Sequence, residues 1–260
     1  MTAIDWQTTD PIPEDMPILS FGGGRNSVYL YYLMEQEGQP FIALFSDPGA
    51  EKEETYAYIR WMHENSHPVT VIEGRDKGMN IIDYCRHYNV IPSRTHRWCT
   101  HRLKIEPMFR WLRARGRTDV DFIGIAYEER HRCQKILAYR PDIRFPLVER
   151  QITTADCLTG IAAAGWPIPV KSGCWFCPEQ QVGEWERLGQ EHPAKLALAA
   201  KLEDAANAAR VGAPFYLGQH VPVRVAASGP EARRLWRRQQ KGQINFMEEI
   251  GLDPCPFCHL

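Results

Sequence analysis

The sequence has no apolar run approaching the roughly 18 residues that a bilayer-crossing helix needs. It also has almost no net charge: Lys+Arg 31 against Asp+Glu 32 leaves −1, so no global field draws the chain to nucleic acid or a membrane. Cysteine is sparse, with 8 in 260 residues, too few for a disulfide scaffold of this size. The stretch Met1 to Asp15 is polar and acidic and holds no signal-peptide core. Internal repeats and low-complexity linkers are absent as well. These absences set the expectation of a soluble, cytoplasmic chain with reduced thiols and no membrane partner. What is present, 44% hydrophobic and 24% charged residues, is ordinary globular composition and excludes a disordered or fibrous chain.

Strand and helix patterns alternate through the first half. Met16–Ser20 reads as a short buried strand, and the run Gly22-Gly23-Gly24 follows it. Val28, Tyr29, Leu30, Tyr32 and Leu33 then predict a helix ending near Gly38. Phe41–Phe45 predicts a second strand, Glu53–Asn65 a helix and Val69–Ile72 a third strand. A helix over Glu106–Arg115 leads to a fourth strand at Asp121–Ile125. Strands separated by helices argue for a parallel sheet covered by helices, an α/β fold. Beyond about Arg150 the pattern turns helical: Thr153 or Thr154 caps a helix to Ala164, and an alanine-rich helix spans Pro193 to Arg210. The expected division is a core over 1–150 and a cysteine-bearing, mostly helical region over 151–260.

The stretch Ser20-Phe-Gly-Gly-Gly-Arg-Asn-Ser27 joins a predicted strand to a predicted helix. Such a loop presents backbone N–H groups and a positive helix end to an anion, and glycines let phosphate oxygens approach the backbone. Ser20 and Ser27 add hydroxyls and Arg25 a positive charge. The spacing fits neither the Walker loop nor the dinucleotide G-x-G-x-x-G. A glycine-rich turn with no ligand is the plain alternative.

Four segments in order carry a resemblance. Ser20–Ser27 resembles the pyrophosphate loop S-G-G-x-[DT]-S of the PP-loop superfamily, and more closely that of the phosphoadenosine phosphosulfate (PAPS) reductase family with its ATP-pyrophosphatase relatives. Phe45-Ser-Asp-Pro-Gly-Ala-Glu-Lys-Glu-Glu-Thr55 resembles that family's N-T-G-x-E-x-x-E-T, and Arg97-Trp-Cys-Thr-His-Arg-Leu-Lys-Ile-Glu-Pro107 its R-x-C-x-x-x-x-K-x-x-P. Gly124-Ile-Ala-Tyr-Glu-Glu-Arg130 resembles G-x-R-x-x-E-S-x-x-R. The likeness covers about residues 16 to 180. It implies a PP-loop, Rossmann-like twisted parallel sheet and an adenine nucleotide, ATP or a sulfonucleotide (PAPS or adenosine phosphosulfate). Gly22, Gly23, Gly24, Arg25, Asn26 and Ser27 would hold the phosphates, with Mg²⁺ offsetting their charge and Asp47 near the adenosine. Four departures stand out: Ser20 is displaced by one or two positions from the usual first serine, where Gly22 sits, Asn26 replaces the usual Asp or Thr, Ala126 replaces an arginine that Arg130 or Arg132 would supply, and Asp47 replaces Asn.

Arg94 to Arg117 holds eight Lys/Arg residues against one acid, Glu106. Arg97, Arg102 and Lys104 flank Cys99 and are the ligand candidates, Lys104 most of all by the resemblance. Arg110, Arg113 and Arg117 read as a solvated helix face. A second basic stretch, Arg233–Arg238 with Arg224, Trp236 and Lys241, keeps a nucleic-acid substrate in view, against the reading of a solvated face.

Cys174-Trp-Phe-Cys177, between Gly173 and Pro178, is turn chemistry that can aim two sulfurs at one zinc or iron. Cluster-bearing relatives have cysteines at the position of Cys99 and in a later C-x-x-C, so the resemblance implies a [4Fe-4S] cluster on Cys99, Cys174 and Cys177, with zinc as the rival. Cys255 is a candidate fourth ligand. Cys258, followed by His259, faintly resembles the nucleophilic tail of sulfonucleotide reductases. Cys85, Cys133 and Cys157 read as small buried residues.

The leading expectation is an ATP pyrophosphatase that adenylates an acceptor for sulfur transfer, with a sulfur-donor or thiol protein as partner. The second is a sulfonucleotide reductase releasing sulfite. The third, from another class, is a non-catalytic nucleic-acid-binding module with a structural zinc.

Overall fold

The computed structural model describes residues 3–218 and 220–240. Four strands, β1 (Ile18–Ser20), β2 (Ile42–Asp47), β3 (Thr70–Glu73) and β4 (Phe122–Ile123), form one sheet in the order β3-β2-β1-β4. Every pairing is parallel. The expected strand at 16–20 begins at Ile18, and the one at 121–125 shortens to two residues. The α/β class is as expected, a parallel sheet flanked by helices.

Alternation decides the layering. Leu19, Ala43 and Phe45 point into one core cluster, with Tyr31 and Met62. Ile18, Ile42 and Leu44 point into the other, with Leu112 and Ile125. The inner strand β2 is therefore buried on both faces, which is why it reads as an unbroken apolar run. At the sheet's edge, β3 alternates buried and exposed residues. Helix α1 (Arg25–Glu37) starts at Gly24 and ends at Gly38, whose φ of 78° is the left-handed form that favours glycine. Helix α2 (Glu53–Glu64) carries Glu53 and Glu54 in its first turn, matching the positive end of its dipole.

The chain divides into two compact units. Among the described residues, the first joins 3–81 to 99–174; the second joins 82–98 to 175–240. The helix Thr154–Ala163, which the sequence reading assigned beyond residue 150, packs on α1 within the first unit. Gly160 makes that approach feasible: a Cβ there would lie 2.1 Å from the Tyr29 ring. Thr153 caps this helix, accepting from the Asp156 N–H while the Asp156 carboxylate accepts from the Thr153 N–H. Cys157, buried beneath it, has its thiol pushed up to about 12 by desolvation.

Arg117 differs from the expected solvated face. The helix Glu106–Arg113 ends before it. Its mostly buried guanidinium donates to the Pro13 and Met16 carbonyls and to the Asp121 carboxylate. A cation withdrawn from water needs such acceptors. Asp121 in turn accepts from the Ile18 N–H at 2.7 Å, pinning the start of β4 to β1.

In the second unit the helices Val182–Glu191, Pro193–Ala208, Val223–Ala227 and Gly229–Gln240 pack on one another. Their buried residues include Trp185, Leu202, Val223 and Leu235. Glu203 is buried among them, and its two oxygens accept the N–H groups of Leu217 (2.7 Å) and Val223 (2.9 Å). Desolvation raises its carboxyl to about 7.

Candidate functional site at the carboxyl edge of the sheet

The chain leaves β1 for β2 and β3 on one side and returns as β4 on the other, so the order reverses at β1. In open parallel sheets the crevice outside the carboxyl ends of strands at such a switch point is where ligands sit. The residues 21–24 run from the end of β1 into α1 at that point. Gly124, just after β4, keeps the crevice tight, because a Cβ there would lie 2.9 Å from the Ser27 Cα.

Gly23 takes a φ of 67°, and a Cβ on it would lie 2.9 Å from the Thr55 methyl. The Ser27 hydroxyl is turned inward, donating to the Gly24 carbonyl (2.9 Å) and accepting from the Gly24 N–H (3.2 Å). It therefore shapes the loop. The first N–H groups of α1 have no helical partner by construction. Two buried side-chain atoms of the same loop, Arg25 Nε and Asn26 Oδ1, have no hydrogen-bond partner among the described residues. Native interiors rarely leave such atoms unmatched, and a bound anion with its counterion would match both a donor and an acceptor.

Next to the loop stands the turn between β2 and α2. The Asp47 Oδ1 atom accepts the Gly49 N–H (2.8 Å) and the Tyr56 hydroxyl (2.7 Å), and that hydroxyl accepts the Glu51 N–H (3.1 Å). Burial, then the Asp47 carboxylate, pushes the Tyr56 phenol well up. The turn is completed by residues 171–174: the Lys52 N–H donates to the Gly173 carbonyl, Lys52 Nζ to the Lys171 carbonyl, and Glu51 forms a backbone bridge with Cys174. The Ser172 hydroxyl lies 2.7 Å from where a Gly24 Cβ would be. Sequence reasoning missed Glu51, Lys52, Thr55 and Ser172 as site residues. Glu51-Lys-Glu-Glu54 has the look of a solvated charge run, yet Glu51, Lys52 and Thr55 are buried.

The expected residues divide. Ser20 ends β1, and Gly22 to Ser27, Asp47 and Lys104 belong to the same unit and the same edge. Arg102 is exposed and paired with Asp76 at 3.0 Å. Arg130 lies exposed over the Tyr127 ring. Arg97 belongs to the second unit, exposed and left-handed with φ 42°. Of the cysteines, Cys99 and Cys174 lie in the first unit and Cys177 in the second; Cys255 and Cys258 lie outside the described residues, as does Lys241. Among the described residues no group of three or more His, Cys, Asp or Glu side chains is placed to hold a metal ion. Cys85, Cys133 and Cys157 are buried, as expected. No described helix is long and apolar enough to cross a membrane.

No family model matches the chain. No solved structure matches it either. Among curated proteins it is similar to the uncharacterized protein MJ0066 of Methanocaldococcus jannaschii, 26% identical over 68% of this chain and 39% of that one. It is also similar to the uncharacterized nin region protein ORF290 of Escherichia phage lambda, 29% identical over 78% of this chain and 75% of that one. The match therefore spans about two fifths of the archaeal relative's length and three quarters of the phage relative's.

Proposed function

We propose that the first unit binds an adenine nucleotide at Gly22–Ser27 and that the protein is an ATP pyrophosphatase of the PAPS reductase kind, working in sulfur transfer. The observation that carries this reading is the glycine loop at the switch point of a parallel sheet, with Arg25 Nε and Asn26 Oδ1 buried and unmatched. The acceptor attacks the α-phosphorus of ATP, the bond to the β-phosphate oxygen breaks, and pyrophosphate leaves with the electron pair. Mg²⁺, when bound, offsets the triphosphate charge, and Asn26 Oδ1 is a hard oxygen donor of the type it takes. The ordered resemblance of four segments supports the same reading.

Calorimetry with Mg·ATP tests it. Arg25→Ala is expected to weaken binding about tenfold, the scale of one charge-assisted hydrogen bond, with little change in melting temperature. A wild-type chain that binds neither ATP nor a sulfonucleotide, and releases no pyrophosphate, would overturn the proposal. Sulfite released from a sulfonucleotide would replace it with the reductase reading.

The [4Fe-4S] element of the proposal rests on the family resemblance, which implies Cys99, Cys174 and Cys177 as ligands with Cys255 a candidate fourth. Iron, zinc and acid-labile sulfide are to be measured on protein purified without oxygen. Iron with sulfide is the expected result; one zinc per chain without colour would sink the cluster.

A further inference from the structure

Lys104 is carried on a five-residue π-helical stretch, His101–Ile105, which leads into the helix Glu106–Arg113. Such wide turns are rare and concentrate where a side chain must be re-aimed. This one is fixed from below. The buried Ser46 hydroxyl donates to the Leu103 carbonyl at 3.0 Å, and Leu103 is fully buried. From that stretch Lys104 Nζ reaches Glu51 Oε1 at 2.5 Å. The two partners are unequal: the Glu51 side chain is 0% exposed, and that of Lys104 34%. Glu51 Oε2 is buried with no hydrogen-bond partner among the described residues.

A buried carboxylate that uses one oxygen and leaves the other unmatched is a poor stabilising device, because the desolvation cost offsets the attraction. What the pair does achieve is geometric. The Glu51 backbone is anchored on both sides, through the Tyr56 hydroxyl and through its bridge to Cys174. The carboxylate is therefore a fixed post, and the lysine a long chain tied to it. That post stands one turn of chain before Thr55, whose methyl meets Gly23 of the phosphate loop.

We infer that Glu51 is a positioning residue, holding the Lys104 ammonium at the carboxyl edge of the sheet for the phosphates of a nucleoside triphosphate on Gly22–Ser27. The inference rests on the nucleotide reading above. Glu51 itself adds no attraction for an anion; its whole effect runs through Lys104.

A double-mutant cycle on the full chain separates these roles. Mg·ATP dissociation constants are measured by calorimetry for wild type, Glu51→Gln, Lys104→Met and the double variant. Each single change is expected to weaken binding about tenfold, and the double variant to bind within twofold of Lys104→Met. A Glu51→Gln chain that binds ATP as tightly as wild type, or more tightly, would overturn the inference. So would a loss from Glu51→Gln that persists undiminished in the Lys104→Met background, the mark of a merely structural residue. If wild type binds no nucleotide, the nucleotide reading and this inference fall together; if it binds and the cycle is additive, only the inference falls. The double variant leaves no buried charge without its partner and serves as the folding control. Should Glu51→Gln not fold, Glu51→Asp carries the same test, since it keeps the charge but falls one methylene short of the ammonium.

Discussion

Gly74→Ala is expected to lower the stability of the sheet-bearing unit by about 3 kcal/mol or more, a fall of roughly 6–12 °C in melting temperature. The cause is space. A Cβ at Gly74 would lie 2.2 Å from the Leu103 carbonyl oxygen and 2.7 Å from that of Asp47. Both obstacles are backbone and neither can rotate away. The Gly74 N–H already donates to the Asp47 carbonyl at 2.7 Å, and the Leu103 carbonyl is held by Ser46, so relief would have to move the end of β2 or the π-helical stretch. Gly38→Ala is the contrasting control. Gly38 has a φ of 78° and nothing within 4 Å of a Cβ, so only the backbone penalty of about 1 kcal/mol applies. Thermal or urea melts that show equal losses for the two variants would refute the packing at Gly74. If the nucleotide proposal holds, Gly74→Ala is also expected to weaken nucleotide binding, because Leu103 adjoins Lys104.

The second large effect is a pH dependence centred on Glu203. Its folded carboxyl is raised to about 7 by desolvation, with the Val223 and Leu217 N–H groups opposing that rise. Asp204 raises it further and Arg224 lowers it. A carboxyl of raised pKa binds its proton more tightly when folded. Stability from this group is therefore greatest below the ordinary carboxyl value near 4.5 and is lost as pH rises to about 7, an effect of about 3 kcal/mol. Glu203→Gln removes the titration while keeping one acceptor oxygen. Urea unfolding from pH 4.5 to 8 is expected to show a slope in wild type that is absent from the variant, with amide exchange at Leu217 and Val223 following it. Identical pH profiles in the two proteins would show that Glu203 carries no such linkage.

Much of the fold could be read from the sequence, and the physical reason is periodicity. The run Phe41–Phe45 is apolar at every position because β2 is covered on both faces, and the helix over 53–65 ends within one residue of expectation. Capping was equally legible at Thr153. The π-helical stretch was not, because its residues also suit an α-helix and its cause, the packing of Leu103 on Ser46 and Gly74, is tertiary. Arg117 was misread for a related reason: it lies beyond the helix that would have exposed it, and its two carbonyl acceptors, Pro13 and Met16, are about a hundred residues away in sequence.

The candidate site divides along the same line. The glycine loop announces itself because turn chemistry is local. Glu51 and Thr55 were legible only as part of a resemblance, and only folding shows them buried with oxygens unmatched among the described residues. Ser172 had no local signal at all, since its role depends on where residues 171–174 return to the chain.

The strand order also sets an entropic cost. Leu19 pairs with Ala43, a short closure, but it also pairs with Phe122. The Ile18–Asp121 hydrogen bond closes a separation of 103 residues. Closing the longer loop costs more chain entropy, so the pairing of β4 with β1 is the costliest of the three to close. The crevice between β1 and β4 is thus the part of the sheet that carries the largest closure cost. On the ribosome, a chain that has not yet released β4 has a glycine loop but no crevice beside it. Under the nucleotide proposal, nucleotide capture would then report complete assembly of the sheet.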